Sequence, residues 1–468
     1  MNTEPLVPPR PPNFVEALLC FTVVILIIAL GLFILAIDLH SLMFICLLWT
    51  GINAYRLGSS YGQIREFMSS AIARALPAIY IFILIGMVIA SFMHSGTIAA
   101  LMYYGLSWVT PSLFLAIGLV LCALMSVATG TSWGTVGTLG VVFIGIGGAL
   151  QIPLPIVAGM VVCGATFGDK MSPISDTTNL AAMSAETNLY RHIYSMFFTT
   201  APSFLLAFII FLFMGVRFGD GVLAEDEISA IRNALADSYG LNPLITLLPI
   251  IVLATLSIRR VPAEVTMSIS VIVAVLIAII YQQHSLVQVM NALWANTPGE
   301  TSIQNLDELL GRGGILSMAW TLILALMALA LGGILHGSGI LTALLSGLIA
   351  RVQRVASLIA TTICSGLVGN MAMGEAYISI ILNCQLFRDK YKNKELDKAI
   401  LSRSVEEGST LTTGLIPWTT AGAFYSATLG VSVVDYVPYA FFNYLNAFIS
   451  VSMAALGIGL LRNKAVQS

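Results

Sequence analysis

Charge is what this sequence has least of. Only 9% of its 468 residues are Asp, Glu, Lys or Arg, against roughly 25% in a soluble domain. Hydrophobic residues make up 58% and the mean hydropathy is +0.93. The net charge of -2 gives no basic face for a nucleic-acid partner. No Gly-Lys pair occurs anywhere, so the phosphate-cradling GxxxxGK[ST] loop of a primary pump is absent. HExxH is absent as well. The six cysteines (Cys20, Cys46, Cys122, Cys163, Cys364 and Cys384) are scattered through apolar runs without a CxxC pair. They read as small buried side chains, with no disulfide, metal site or cofactor implied. No cleavable leader is visible: residues 1–13 are Pro-rich and read as disordered, and the apolar run at 14–37 is too long for a signal sequence.

What is present is a series of apolar runs of about 16 to 24 residues, the length that crosses a bilayer as helix. The fold class is all-α, polytopic and membrane-embedded. Self-comparison finds a repeat. ISDTTNLAAMSA (174–185) lies over IPWTTAGAFYSA (416–427), HSGTIAAL (94–101) over HGSGILTAL (336–344), and TGTSWGT (129–135) over GNMAMGE (369–375). The matches come in the same order at nearly constant spacing, giving copies near 75–195 and 315–440.

Basic residues orient the copies, because cytoplasmic loops are the ones enriched in Lys and Arg. Residues 94–110 carry none, while the matching 336–354 carry Arg351 and Arg354. Residues 148–155 are uncharged, while 388–398 carry Arg388, Lys390, Lys392, Lys394 and Lys398. The repeat therefore reads as inverted, with both termini cytoplasmic. Of the 21 Lys and Arg, all but Arg217, Arg232, Arg312 and the embedded Lys170 fall inside or at the inner edge. The expected organisation is a scaffold part (1–76: tail, helices at 14–37 and 39–54, an amphipathic interfacial segment), repeat 1 (77–214), a second scaffold part (215–314: helices at 243–257 and 263–282, interfacial residues 286–294) and repeat 2 (315–468). Each repeat holds a re-entrant hairpin and a broken helix.

Four polar islands interrupt the apolar background: hairpin tips at 128–135 and 369–379, and helix breaks at 168–179 and 406–420. Interrupted helices in inverted repeats mark secondary transporters, with sites near the midplane. Unwound backbone in a bilayer is tolerated only where protein or a water-filled cavity covers it. Hard cations want oxygen ligands, and the islands supply them: Thr129, Thr131, Ser132, Ser172, Ser175, Thr177, Thr178, Asn179 and Asn370, with Thr410, Thr412, Thr413, Thr419 and Thr420 at the second break. The embedded carboxylates are Asp169, Asp176, Glu375, Glu406 and Glu407. Each costs at least about 2.5–3.5 kcal/mol in a membrane and is a functional candidate for that reason. A desolvated carboxylate that holds either a proton or Na+ is the minimal chemistry of exchange, and the Na+ position is expected around Asp176 and Asn179. Asp176 lies over Trp418 and Glu375 over Thr135, so the copies contribute different acids to one asymmetric site.

Plainer readings stand beside these. Asp169 and Lys170 also fit a structural charge pair at the break. Asp176 also fits an N-cap for a helix starting at Thr177. Glu406 and Glu407 also fit solvated positions at the inner edge, and His94, His336, Trp133 and Trp418 fit packing.

The string GDKMSPISDTTN, with ATGTSWGT upstream, resembles the NhaC family of Na+/H+ antiporters, and the resemblance covers essentially the whole chain. It implies a place in the ion transporter superfamily, a homodimer on a scaffold, and a transport domain of two hairpins and two broken helices that moves as an elevator in the cell (inner) membrane. Residue by residue it points to Asp169, Ser172, Ser175, Asp176, Thr177, Thr178 and Asn179. The partners expected are Na+, H+ and the bilayer. The competing function is Na+- or H+-coupled exchange of a small organic solute such as malate, lactate, an amino acid or an amine. Lys170 is the sole deeply placed cation for an organic anion, which favours a bare cation. An enzyme is not expected: the GxGD of an intramembrane aspartyl protease is missing, since residues 166–169 read TFGD. Paired inverted breaks favour alternating access over a channel.

Overall fold

The computed structural model describes residues 10–108, 110–219, 225–299, 301, 303–350 and 352–461. Most of the Pro-rich tail, Arg351, Arg462 and Lys464 lie outside these. The described residues hold no strand. The first half of the chain runs α1 (Phe14–Phe33), α2 (Leu39–Arg56), α3 (Tyr61–Arg74), α4 (Leu76–His94), α5 (Thr97–Trp108), α6 (Pro111–Thr129), the short α7 (Ser132–Thr135), α8 (Val141–Ala149), α9 (Leu154–Met171), α10 (Asp176–Ser184) and α11 (Leu189–Gly219). The second runs α12 (Glu225–Ser238), α13 (Pro243–Thr246), α14 (Leu248–Ile258), α15 (Ala263–Ile280), α16 (Leu286–Trp294), α17 (Gln304–Leu310), α18 (Ala319–Gly337), α19 (Ile340–Ala350), α20 (Val355–Met373), α21 (Ala376–Asn393), α22 (Lys398–Thr413), α23 (Thr420–Leu429), α24 (Val433–Tyr436) and α25 (Phe441–Ala455). Among the described residues, 8 helices are long and apolar enough to cross a membrane, or up to 9 if a bent pair counts as one span. The chain is a polytopic helical membrane protein.

Local chemistry places the interruptions. Helix α6 stops at Gly130, which takes φ 71, and α20 stops at Gly374, which takes φ 65. This left-handed conformation is cheap only for glycine. The next residues, Thr131 and Glu375, are extended N-caps of the following helices. Helix α9 ends where Pro173 drives Ser172 into extended backbone (φ -80, ψ 128). Helix α22 ends at Gly414, with Pro417 shortly after. Both breaks are therefore shorter than the polar strings suggest. Gly168–Asp169–Lys170 remain on α9, and Glu406, Glu407, Thr410, Thr412 and Thr413 lie on continuous α22 rather than in unwound chain. Thr412 bonds back to the Gly408 carbonyl at 2.5 Å, a way for hydroxyl side chains to sit within a helix.

The same features also correct the register between the halves. Gly130–Thr131 matches Gly374–Glu375, and the helix starting at Asp176 behind N-cap Ser175 matches that starting at Thr420 behind N-cap Thr419. Glu375 thus stands opposite Thr131 rather than Thr135, and Asp176 opposite Thr420 rather than Trp418. The helical residues between had masked a slip of a few positions.

In each half the first hairpin arm presses its backbone on the broken helix. A Cβ on Gly164 would lie 2.6 Å from the Leu119 carbonyl oxygen; one on Gly408 would lie 2.4 Å from that of Ile363. Small residues allow such approach where lipid supplies no hydrophobic drive. Helices from opposite halves also embrace: α4 packs on α15 and α16, and α18 packs on α2 and α3. The apolar face of α3 packs on α18, with Phe67 and Ala71 buried against Gly333 and Gly337. The segments after α4 and α18 are short helices, α5 and α19, rather than plain loops.

Gly408→Ala is expected to destabilise the protein by about 1–3 kcal/mol through overpacking. Gly51→Ala, whose Cβ meets nothing within 4 Å, is expected to be neutral or slightly stabilising. Thermal unfolding of the two variants in detergent checks the contrast.

Candidate functional site

The hairpin tips and helix breaks meet around a cavity of about 790 Å³. Thr129, Thr131 and Ser132 from the first tip line it, as do Asp169, Asp176, Thr177 and Asn179 from α9 and the first break. Glu375 and Tyr377 come from the second tip, and Thr410, Thr413, Thr420 and Tyr425 from the second broken helix. The exposed Arg74, Arg260 and Tyr190 line its outer part.

The two halves offer carboxylates in different states. Asp169 is buried with both oxygens occupied: Ser132 donates to Oδ2 and Ser175 to Oδ1, each at 2.6 Å. One donor comes from the first tip and one from the first break, so this carboxylate joins them. Glu375, 7% exposed, caps α21 through Oε1, which accepts from the backbone N–H of Ala376 and Tyr377 at 3.0 and 3.4 Å. Its Oε2 is buried without a partner, as are the hydroxyls of Thr410 and Thr413 on the cavity wall. Buried polar atoms normally find partners. An unpaired carboxylate oxygen and unpaired hydroxyls on residues lining one cavity are donor types suited to a hard cation. Asp176 is exposed to the cavity and accepts from the Tyr377 hydroxyl at 2.8 Å, linking the first break to the second tip. It does not act as the N-cap: that position is Ser175.

Other expected ligands have structural duties. Ser172 donates to the Val127 carbonyl at 2.8 Å. Asn179 donates to the carbonyls of Pro173 and Ser175 at 3.0 and 2.7 Å. Asn370 ties α20 to α22 by donating to the Ser409 carbonyl and Thr412 at 2.6 and 2.9 Å, leaving its own Oδ1 buried and unpaired. Thr419 donates to the Thr413 and Ile416 carbonyls and caps α23. Thr178 is buried away from the cavity, against the carbonyls of Asp169 and Lys170.

Lys170 does not pair with Asp169. Successive helical residues point apart, and its ammonium reaches Asn446 at 3.0 Å and Glu407 at 3.6 Å. Glu406 and Glu407 are fully buried rather than solvated. Thr199 donates to Glu407 at 2.5 Å, while His192 and Thr178 contact Glu406 at 2.6 and 3.0 Å. Sequence reasoning missed His192, Asn446, Tyr377 and Tyr425. The adjacent Glu406–Glu407, and Asn443 and Asn446 one turn apart in an apolar helix, were the available signals. His94 is hydrogen-bonded rather than merely packed, to His284 at 3.0 Å and Asn296 at 2.9 Å. Trp133 stacks on Phe424 at 4.7 Å, and Trp418 donates to the Met371 carbonyl at 2.8 Å.

Such a cavity between interrupted helices, with acids from both halves, is the architecture of a membrane secondary transporter. Residues 164–458 match the family model described as the Na+/H+ antiporter family. The chain is 36% identical over 450 residues to the Na+/H+ antiporter NhaC of Alkalihalophilus pseudofirmus, covering 96% of this chain and 97% of that protein. It is 35% identical over 432 residues to NhaC of Bacillus subtilis, covering 92% and 95% of the two chains. It is also 31% identical over 406 residues to the malate-2H+/Na+-lactate antiporter of Bacillus subtilis, covering 87% and 85%. The chain belongs to the Na+/H+ antiporter family. These relatives are transporters, not enzymes.

Removing one member of a buried ion pair strands the other, which costs about 3–5 kcal/mol. Lys170→Met is expected to destabilise by that order, and Lys170→Met/Glu407→Met to recover most of the loss. Unfolding midpoints in detergent for the two single variants and the double variant measure this coupling.

Proposed function

We propose that this protein exchanges Na+ for H+ across the bacterial cytoplasmic membrane by alternating access. The observation that carries the reading is the cavity, which joins acids from both halves, Asp169 and Asp176 with Glu375, to oxygens that have no hydrogen-bond partner. Membership in the Na+/H+ antiporter family supports the identity of the ions. In this reading Na+ sits between Asp176, near Asn179, and Glu375, whose side chains are bridged by Tyr377; Thr410 and Thr413 supply further oxygens. Asp169 takes the proton when the cation leaves, with Ser132 and Ser175 holding its charged form. Thr129, Thr131, Thr177 and Thr420 complete the wall.

The two halves are read as inverted repeats, with the hairpins and broken helices moving as a transport domain against a scaffold of α1–α3 and α14–α16. The recurrence of glycine-stopped hairpins and capped breaks supports the repeat, and the basic loops support its inversion and the cytoplasmic termini. In the same reading the cavity opens to the cytoplasmic side, and the exposed Arg74 and Arg260 that line it support this. A homodimer built on the scaffold is part of the same reading.

A second reading is coupled exchange of a small organic solute. Its support is the cavity volume, far larger than a bare cation needs, together with the malate/lactate antiporter among the relatives.

Purified protein in liposomes with an internal pH dye separates the two. Na+ added outside is expected to drive proton efflux, with Asp169→Asn, Asp176→Asn and Glu375→Gln each losing at least about tenfold in rate. No response to Na+ alone, restored by malate, lactate or an amino acid, sinks the first reading and favours the second.

A further inference from the structure

A second set of ionisable groups lies behind the cavity, outside the site described above. His192 stands in the first turn of α11 and is fully buried. Ser402 and Glu406, one turn apart on α22 and equally buried, both reach its ring. The Nε2 atom is 2.6 Å from Glu406 Oε2, and Nδ1 is 2.7 Å from Ser402 Oγ. Two lone pairs cannot face each other at 2.6 Å, so one proton always lies between Nε2 and Oε2.

The Nδ1 side has two settings. With Nδ1 bare, Ser402 donates to it. With Nδ1 protonated, Ser402 accepts from it and turns its own hydrogen to the Ala399 carbonyl, 3.1 Å away. The ring nitrogens are hydrogen-bonded in both settings. A buried imidazole thus gains or loses one proton without leaving a ring nitrogen unsatisfied, and the Glu406 carboxylate balances the added charge.

The opposite oxygen of Glu406 leads back to the ion site. Oε1 lies 3.0 Å from Thr178 Oγ1, which also faces the main-chain carbonyls of Asp169 and Lys170 at 3.1 and 3.0 Å. Thr178 has one hydroxyl hydrogen for three acceptors. An imidazolium at His192 draws on the Glu406 charge and shifts that hydrogen toward the end of α9, the turn that carries Asp169. The charged and titratable groups on the neighbouring elements include Lys170 on α9, Asp176 on α10, Cys384 and Tyr391 on α21, Arg403 and Glu407 on α22, Tyr444 on α25, Arg191 beside His192, and Asp397, which pairs with Arg191.

We propose that His192, with Ser402 and Glu406, forms a second proton-binding site, distinct from the cavity carboxylates, whose proton is released when Na+ binds. The proposal rests on the Na+/H+ reading above.

Linkage gives the test: log Kd for Na+ falls as pH rises, and the steepness of that fall, quoted below as the slope, counts the protons displaced. For the purified wild type the slope is expected to approach about 2, one proton from the cavity and one from His192. In His192→Gln, whose amide keeps a donor toward Glu406 but takes no proton, it is expected to fall to about 1. An unchanged slope in His192→Gln overturns the proposal. A wild-type slope of zero, or no Na+ binding, sinks the Na+/H+ reading instead.

The 15N spectrum of labelled histidines in wild type decides the second site independently of transport. The His192 signal, assigned by its loss in His192→Gln or its displacement in Glu406→Gln, is expected to show a doubly protonated ring without Na+ that becomes singly protonated when Na+ is added at the same pH. A ring that keeps one charge state with and without Na+ overturns the proposal.

Discussion

Unwound backbone inside a bilayer must find partners within the protein, and this fold answers that constraint at two places. At the first break, Ser172 donates to the Val127 carbonyl of the adjoining hairpin, and the Gly130 turn sits directly against Ile174. At the second, the Thr420 N–H donates to the Gly374 carbonyl at 2.9 Å. Each hairpin tip therefore closes the break beside it. The cavity is what remains between the two plugged breaks, and the acids in it are held by the same junctions.

Burial treats the ionisable groups in two ways. Around Lys170, Glu407, Glu406 and His192 the groups are fully enclosed and contact one another or Asn446, Thr178 and Thr199, with one Glu407 oxygen left unpartnered, and they tie α9, α11, α22 and α25 into one body. Around the cavity the acids are left open or incompletely bonded: Asp176 is exposed, and Glu375 keeps one oxygen free. The cavity acids are thereby left to meet an ion, while the enclosed groups meet one another. Asp169 stands between the classes, since its partners are hydroxyls that turn, and it joins a tip to a break.

Much was legible in one dimension because bilayer physics leaves few choices. Apolar runs gave most of the spanning helices, although α2 at 39–54 is not among the eight and the run at 243–257 divides into α13 and α14; Gly130, Gly374 and Pro173 marked the interruptions close to where they fall. The islands around 128–135, 168–179 and 369–379 do converge. Less legible was where polar strings remain helical: α22 carries Glu406, Glu407 and Thr410 through an intact helix, because hydroxyl side chains bond back to its carbonyls and no breaker comes before Gly414. The motif matching set Glu375 against Thr135 and Asp176 against Trp418, whereas the helix stops and caps align Glu375 with Thr131 and Asp176 with Thr420.

By itself the sequence determined the membrane class, the hairpins and breaks, and the family, since these follow from hydropathy, from backbone conformations only Gly and Pro impose, and from a long specific motif. Tertiary structure alone decided partnership. It sent Lys170 to Glu407 and Asn446 instead of Asp169, turned Asp176 to Tyr377, and brought His192 to Glu406. The physical reason is that a side chain's direction around its helix, and the face its neighbour presents, are set when helices distant in the chain pack together.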